Sequence, residues 1–202
     1  MAVDDQSLVA MIGAIGSGDR DMVHRLLVTR PELVRATVAR GDEFFVAACR
    51  AQVYAGDTAL HAAAFAYDID LACELVAAGA DVAAPNRRGA RPLHAAVTGS
   101  PGSNNWNPHK QAAIVTYLIA TGADPNAAAH GGVTPLHRAV RNRCSAAVRA
   151  LLDAGADPAR RNANGSTAAM LAQWSTGRGG TGSPEAKAEQ EIIVEALAAA
   201  GG

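Results

Sequence analysis

With 202 residues, 49% of them hydrophobic but only 4% aromatic, the chain is long enough for one domain that buries roughly 70% of its unfolded surface. No apolar window approaches the roughly 18 residues that cross a bilayer, and Cys49, Cys73 and Cys144, odd in number and widely spaced, suit reduced, packed thiols in a cytoplasmic protein. The formal net charge of −1 hides a polarised chain, since residues 1–85 sum to −6, residues 86–165 to +7 and residues 166–202 to −2.

The first residues, MAVDDQSLVAMIGAIGSGDR, carry acids where a secretory leader needs a basic stretch. Two amphipathic helical pieces are predicted between residues 7 and 30, broken at Gly16-Ser17-Gly18. Met11, Ile12 and Ile15 mark the first; Met22, Val23, Leu26 and Leu27 mark the second, which Pro31 ends. Residues 38–56, VARGDEFFVAACRAQVYAG, fit no periodic position, and Phe44 and Phe45 are expected to pack this connector onto the rest.

From residue 56 the text repeats itself. GDTALHAAA starts at Gly56, GARPLHAAV at Gly89, VTPLHRAV at Val133 and GSTAAMLAQ at Gly165, which aligns His61, His94, His137 and Met170 at steps of 33, 43 and 33. A step of that size means stacked units, each burying its apolar face against the next. The expected units are 56–88, 89–131, 132–164 and 165–202, with a degenerate N-terminal cap repeat and connector over 1–55. In the first of these, Thr58 caps a short helix, Ile69, Leu71, Ala72, Leu75 and Val76 line a second, and Gly79 stops it. The unit from 89 carries Pro92 in its first turn and an inserted loop, 99–109, that accounts for the longer step; Ile114, Val115, Tyr117, Leu118 and Ile119 mark its second helix. The unit from 132 is the cleanest, with Thr134 capping, Pro135 opening the helix, and Leu136 and Ala139 packing. The last carries an inserted Gly-rich loop, 176–184, then a helix near 185–199 with Ile192, Ile193, Val194 and Leu197 inward and a solvated acidic face of Glu185, Glu189, Glu191 and Glu195.

TALHAAA, RPLHAAV and TPLHRAV, followed by LVAAGADV, LIATGADP and LLDAGADP, resemble the ankyrin-repeat family, whose signature is a TPLH-type opening at this period. The resemblance covers residues 56–202, with a weaker likeness over 6–35. It implies an all-α solenoid of stacked helix-turn-helix pairs with hairpin-like finger loops, about five repeats including degenerate end caps. It also implies a concave surface that binds other proteins, and signature histidines that bond the backbone of the neighbouring finger. Arg91 in place of a capping Thr, Met170 in place of His, and the two insertions depart from the family pattern.

No residue pattern points to catalysis, a cofactor or a metal. Zinc ligands converge on one point, whereas His61, His94 and His137 sit one unit apart and form a row. Phase identifies the groove positions instead: Ala62, Ala95, Arg138 and Leu171 one residue after the signature position, and Phe65, Thr98, Arg141 and Trp174 four after. Aromatic residues and Arg often dominate binding energy; the alternative for Phe65 and Trp174 is packing beside their own helices. Asn86, Arg87 and Arg88 are placed at one finger tip and Arg160, Arg161 and Asn162 at another; with Arg138, Arg141 and Arg143 they form a basic strip suited to a partner presenting carboxylates, the alternative being an ordinary solvated face. Trp106, in GSNNWNP, is either a lid pinned near Tyr117 or an exposed anchor.

The expected function is a non-catalytic, monomeric protein-protein interaction module. Nucleic-acid binding through the basic centre is the first alternative, opposed by two Lys in all and by acidic flanks. Small-ligand binding at the inserted loops, with a cavity beneath Trp106, and salt-sensitive self-association are the others. The excess of Arg and Ala points to a bacterial source of high GC content.

Overall fold

The computed structural model describes residues 5–39, 41–47, 51–99, 101, 106–174 and 183–200. Among these residues ten α-helices follow one another as five pairs: α1 (Asp5–Ser17) with α2 (Arg20–Thr29), α3 (Ala59–Phe65) with α4 (Ile69–Ala77), α5 (Pro92–Ala96) with α6 (Pro108–Ala120), α7 (Pro135–Arg141) with α8 (Ser145–Asp153), and α9 (Ala168–Trp174) with α10 (Pro184–Ala200). The first helices of the pairs pack on one another as an inner row; α4, α6, α8 and α10 form the outer row behind them. Helices α3, α5 and α7 have only 7, 5 and 7 residues. Such lengths are marginal alone, since isolated helices need about 12 residues, so stacking must hold them. Leu60, Ala63, Ala64, Leu93, Ala96, Leu136 and Ala139 are all buried at the seams; the small Ala side chains let consecutive helices approach closely.

Three of the four seams are stitched by a buried imidazole. His61 Nδ1 accepts the Thr58 N–H at 3.1 Å and its Nε2 lies 3.2 Å from the Ala90 carbonyl of the next unit. His94 takes the Arg91 N–H at 3.2 Å and reaches the Val133 carbonyl at 3.1 Å. His137 takes the Thr134 N–H at 3.3 Å and reaches the Ser166 carbonyl at 3.0 Å. A carbonyl only accepts, so Nε2 carries the proton in all three. The family-implied role of these histidines is therefore seen directly, and Arg91 does not break it: its side chain makes no cap hydrogen bond, yet its backbone N–H serves.

The fingers add a second stitch. Arg87 N–H donates to the Ala55 carbonyl at 2.7 Å, His130 N–H to Arg88 at 2.8 Å, and Ala163 N–H to Gly131 at 2.7 Å. Gly56 sits under the first of these with φ +87°, and a Cβ there would lie 2.7 Å from the Asn86 Cα. Only glycine meets both demands.

Five details differ from expectation. Helices do not account for everything: β1 (Phe44–Val46) and β2 (Ala51–Val53) pair antiparallel, Phe44 opposite Val53, and turn the connector into a hairpin. Phe45 lies on the outer face of that hairpin, 57% exposed, so only Phe44 packs inward. Helix α6 begins at Pro108, because Asn107 caps it through the Lys110 N–H at 3.0 Å, so the 99–109 loop is shorter than anticipated. In α10 Ile193 and Leu197 are buried but Val194 is 44% exposed. Glu189 is not a solvated acid: its Oε2 accepts the Ser145 N–H at 2.8 Å, capping α8, whose own N-cap residue Cys144 makes no side-chain cap bond. Residues 176–182 of the second expected insertion lie outside the described residues.

The stitching predicts an acid sensitivity. Burial, with the Arg138 charge adding to it, pushes the His94 imidazole down to about 3 from an ordinary 6.5; burial also lowers His61 and His137. The folded state then refuses protons that the unfolded chain accepts, so stability is full above about pH 6.5 and falls as pH drops from there toward about pH 3, by up to about 1.4 kcal/mol per pH unit for each histidine. Urea unfolding at about pH 7, 6 and 5 should show this slope. H94Q should lower stability at about pH 7 and flatten the slope, whereas constant stability of the wild type over that range would contradict the neutral, buried bridges.

Candidate functional site

On the inner side of the stack, residues of the hairpin and of α1, α3, α5 and α7 line a partly open cavity of about 310 Å³. Ile12 of α1, Ala62 and Phe65 of α3, and Ala95 of α5 meet Val46 and Val53 of the hairpin there. The hairpin is anchored at its base. Val38 N–H donates to the Asp57 carbonyl at 2.9 Å, Gly56 N–H returns to Val38 at 2.8 Å, and Ala55 N–H donates to Glu43 Oε1 at 2.9 Å. Val46 and Val53 are buried because alternation along a two-stranded ribbon turns both to the same face, with Phe45 and Gln52 on the other.

The polar part of the cavity centres on Arg138 of α7. Its Nη1 donates to the His94 carbonyl at 3.1 Å and to Thr98 Oγ1 at 3.4 Å, both neutral acceptors. Among the described residues no carboxylate pairs with it. Burial, and then the nearby Arg88 and Arg141 charges, pull this guanidinium below its usual range; it remains a cation at neutral pH. Asp57 also lines the cavity, but neutral donors hold it: Asn86 Nδ2 at 2.9 Å and the Tyr54 N–H at 2.7 Å. Arg88 reaches the Tyr54 hydroxyl at 2.9 Å and stacks 5.1 Å from that ring.

Several residues singled out from phase therefore meet: Phe65, Thr98 and Arg138 line one cavity, with Arg88 at its edge. Exposed Arg141 lies near enough to repel Arg138. Others go elsewhere. Asn86 is not at a finger tip but buried, its Oδ1 accepting the Arg88 and Ala90 N–H groups at 2.9 and 3.0 Å; it shapes the finger. Asn162 repeats that arrangement with the Asn164 and Ser166 N–H groups. Arg87 is committed to Glu43, through Nη2 to Oε2 at 2.9 Å and through Nε to Oε1. Arg143 occupies the left-handed region at φ +58° in the turn after α7. Arg160 is exposed on the last finger, and Arg161, also exposed, donates to the Gly165 carbonyl at 2.6 Å. The Trp174 side chain lies outside the described residues.

Trp106 belongs to a different cluster. Its indole N–H donates to Gln111 Oε1 at 3.3 Å, and Gln111 Nε2 donates to the Tyr67 hydroxyl at 3.2 Å and the Ala96 carbonyl at 3.1 Å. Half-buried Trp106 packs against the core and is held by Gln111; it is not among the residues lining the cavity above. The Cys144 thiol sits beside this network, donating to the Gly99 carbonyl at 2.9 Å, and burial pushes it up to about 12. It is a packed thiol, not a nucleophile. In a C49S/C73S chain, Cys144 should react with a disulfide reagent at least about a hundredfold more slowly in the folded state than in urea; equal rates would show the cluster open.

The hairpin residues Val46 and Val53, with Tyr54 beside them, escaped the phase argument because they lie outside the repeat. Their signal, two short β-branched and aromatic runs FFV and AQV, is present but brief. Among the described residues no group of three His, Cys, Asp or Glu could hold a metal ion, and no helix is long and apolar enough to cross a membrane.

A comparison with curated proteins found no match. The family models do match: one for three copies of ankyrin repeats over residues 106–179, and one for a single ankyrin repeat over residues 55–87, together more than half of the chain. With helix pairs, histidine bridges and fingers in the same phase as those matches, the chain belongs to the ankyrin-repeat family.

Proposed function

We propose that this protein is a non-catalytic interaction module that binds a protein partner on its concave side and finger loops, the partner presenting acidic residues. Ankyrin repeats are generally protein-protein interaction modules. The observation that carries the acidic preference is the convergence of Arg88 and Arg141, both exposed, around half-buried Arg138, with no carboxylate paired to any of the three among the described residues. Charges left in this state steer association with an opposite surface and set its salt dependence. Exposed Arg160 and Arg161 on the last finger extend the same sign.

The reading includes five repeats, the first pair α1–α2 and the last pair α9–α10 acting as end caps, a monomeric state, and a cytoplasmic location in a bacterium. Arg20 supports the capping role of the first pair: it bonds Asp68 at 2.6 Å, joining α2 to the N-cap of α4. Cys73 and Cys144 as free thiols support a reducing compartment.

The test is affinity capture from native lysate with wild type and R88E/R141E, both shown to be folded by circular dichroism. A specific partner should be retained by wild type, released as salt rises, and weakened at least about tenfold by the double reversal. Undiminished capture by R88E/R141E would overturn the acidic-partner reading.

A further inference from the structure

The cavity under the hairpin has walls, a size and a charge that together specify a ligand. We propose that it binds a small organic monoanion: an apolar body of about ten to fourteen non-hydrogen atoms carrying one carboxylate, which pairs with Arg138. The cavity of about 310 Å³ is at the lower end of small-molecule sites and equals about ten water volumes.

The apolar body is specified by Ile12, Val46, Val53, Ala62, Phe65 and Ala95, which come from the hairpin and three helices and line one space. The carboxylate is specified by what Arg138 lacks. Both of its hydrogen bonds leave from Nη1 to neutral oxygens, so Nε and Nη2 are available to make the forked pair that guanidinium forms with carboxylate. A single negative charge is specified by the balance of the lining. Arg88 and Arg138 stand against Asp57 alone, while the burial of His61 keeps that imidazole neutral. A cation held in apolar surroundings without a partner is costly, and a carboxylate guest removes that cost.

The size of the space decides between a small molecule and a protein segment. The hairpin lines one side of the cavity with Val46 and Val53 turned inward and is fixed at its base by the Val38–Asp57 and Val38–Gly56 bonds. A space of about 310 Å³ suits a short amphiphile better than a polypeptide segment. This site shares Arg88 and Arg138 with the protein-binding reading, which adds the exposed Arg141 outside the cavity lining.

Isothermal titration of the full chain with octanoate, and with octanamide as its neutral match, tests the proposal. Octanoate should bind with the amide at least about tenfold weaker. R138Q should weaken octanoate at least about tenfold and leave the amide within about twofold, and V46W, which fills the space from the hairpin side, should abolish both. Folding of each variant is checked by its thermal transition, and the acid-amide comparison needs no variant. Absence of octanoate binding, equal binding of acid and amide, or octanoate binding unchanged in folded R138Q or V46W would each overturn it. R141E, predicted above to impair protein capture in combination with R88E, leaves the cavity lining intact, so either reading can fail while the other stands.

Discussion

A buried imidazole that bonds backward to its own helix start and forward to the next finger is the interaction on which the rest depends. His61, His94 and His137 each join two units through groups that have no water to turn to. Each such bond contributes about 1 kcal/mol when made and costs more when one partner is left orphaned in the interior. The same contact fixes rotation as well as separation, because a backbone N–H and a carbonyl must lie on opposite edges of one rigid ring. Helices of five to seven residues can be used only because their phase is set from outside in this way.

With the phase set, side chains one and four residues after each histidine are directed to the inner side whatever their chemistry. That freedom is what the chain uses for Arg138 and Phe65, which both line the cavity. The hairpin is the second device. It is an addition to the repeat, stitched on by Val38, Glu43 and Asp57, and it adds a wall to the cavity at the N-terminal part of the groove. At the other end Glu189 and Gln190 reach from α10 to α8 and α9, so the last pair is held by polar bonds as well as by Ile193 and Leu197.

Much of this was legible in the text of the chain, for an identifiable reason. A motif recurring at 33 residues reports the stacking period, so the unit boundaries followed from counting, while the helix pairs, the role of the histidines and the inward direction of Phe65 and Arg138 followed from the ankyrin-repeat resemblance. What periodicity does not report is anything outside the repeat or any bond between side chains distant in sequence. Phe44 and Phe45 looked alike as text, yet strand alternation buries one and exposes the other. Arg87 and Arg88 are neighbours in a basic run, but Glu43, 44 residues earlier, neutralises only the first. Asn86 read as a tip residue because turns favour Asn at exposed corners; here its side chain replaces the turn's missing hydrogen bonds from inside. The acid stripe of α10 looked uniformly solvated, and only the position of α8 gives Glu189 its task.

The central claim is that neutral histidines, each protonated on Nε2, bridge successive units. Long-range proton–nitrogen correlation spectra of the ¹⁵N-labelled chain at about pH 7 report the tautomer of each ring directly. The prediction is a fixed Nε2–H tautomer for His61, His94 and His137, with unprotonated Nδ1 in each. An Nδ1–H form, or signals averaged by rapid exchange between tautomers, would contradict the bridge and with it the basis for the phase of the groove.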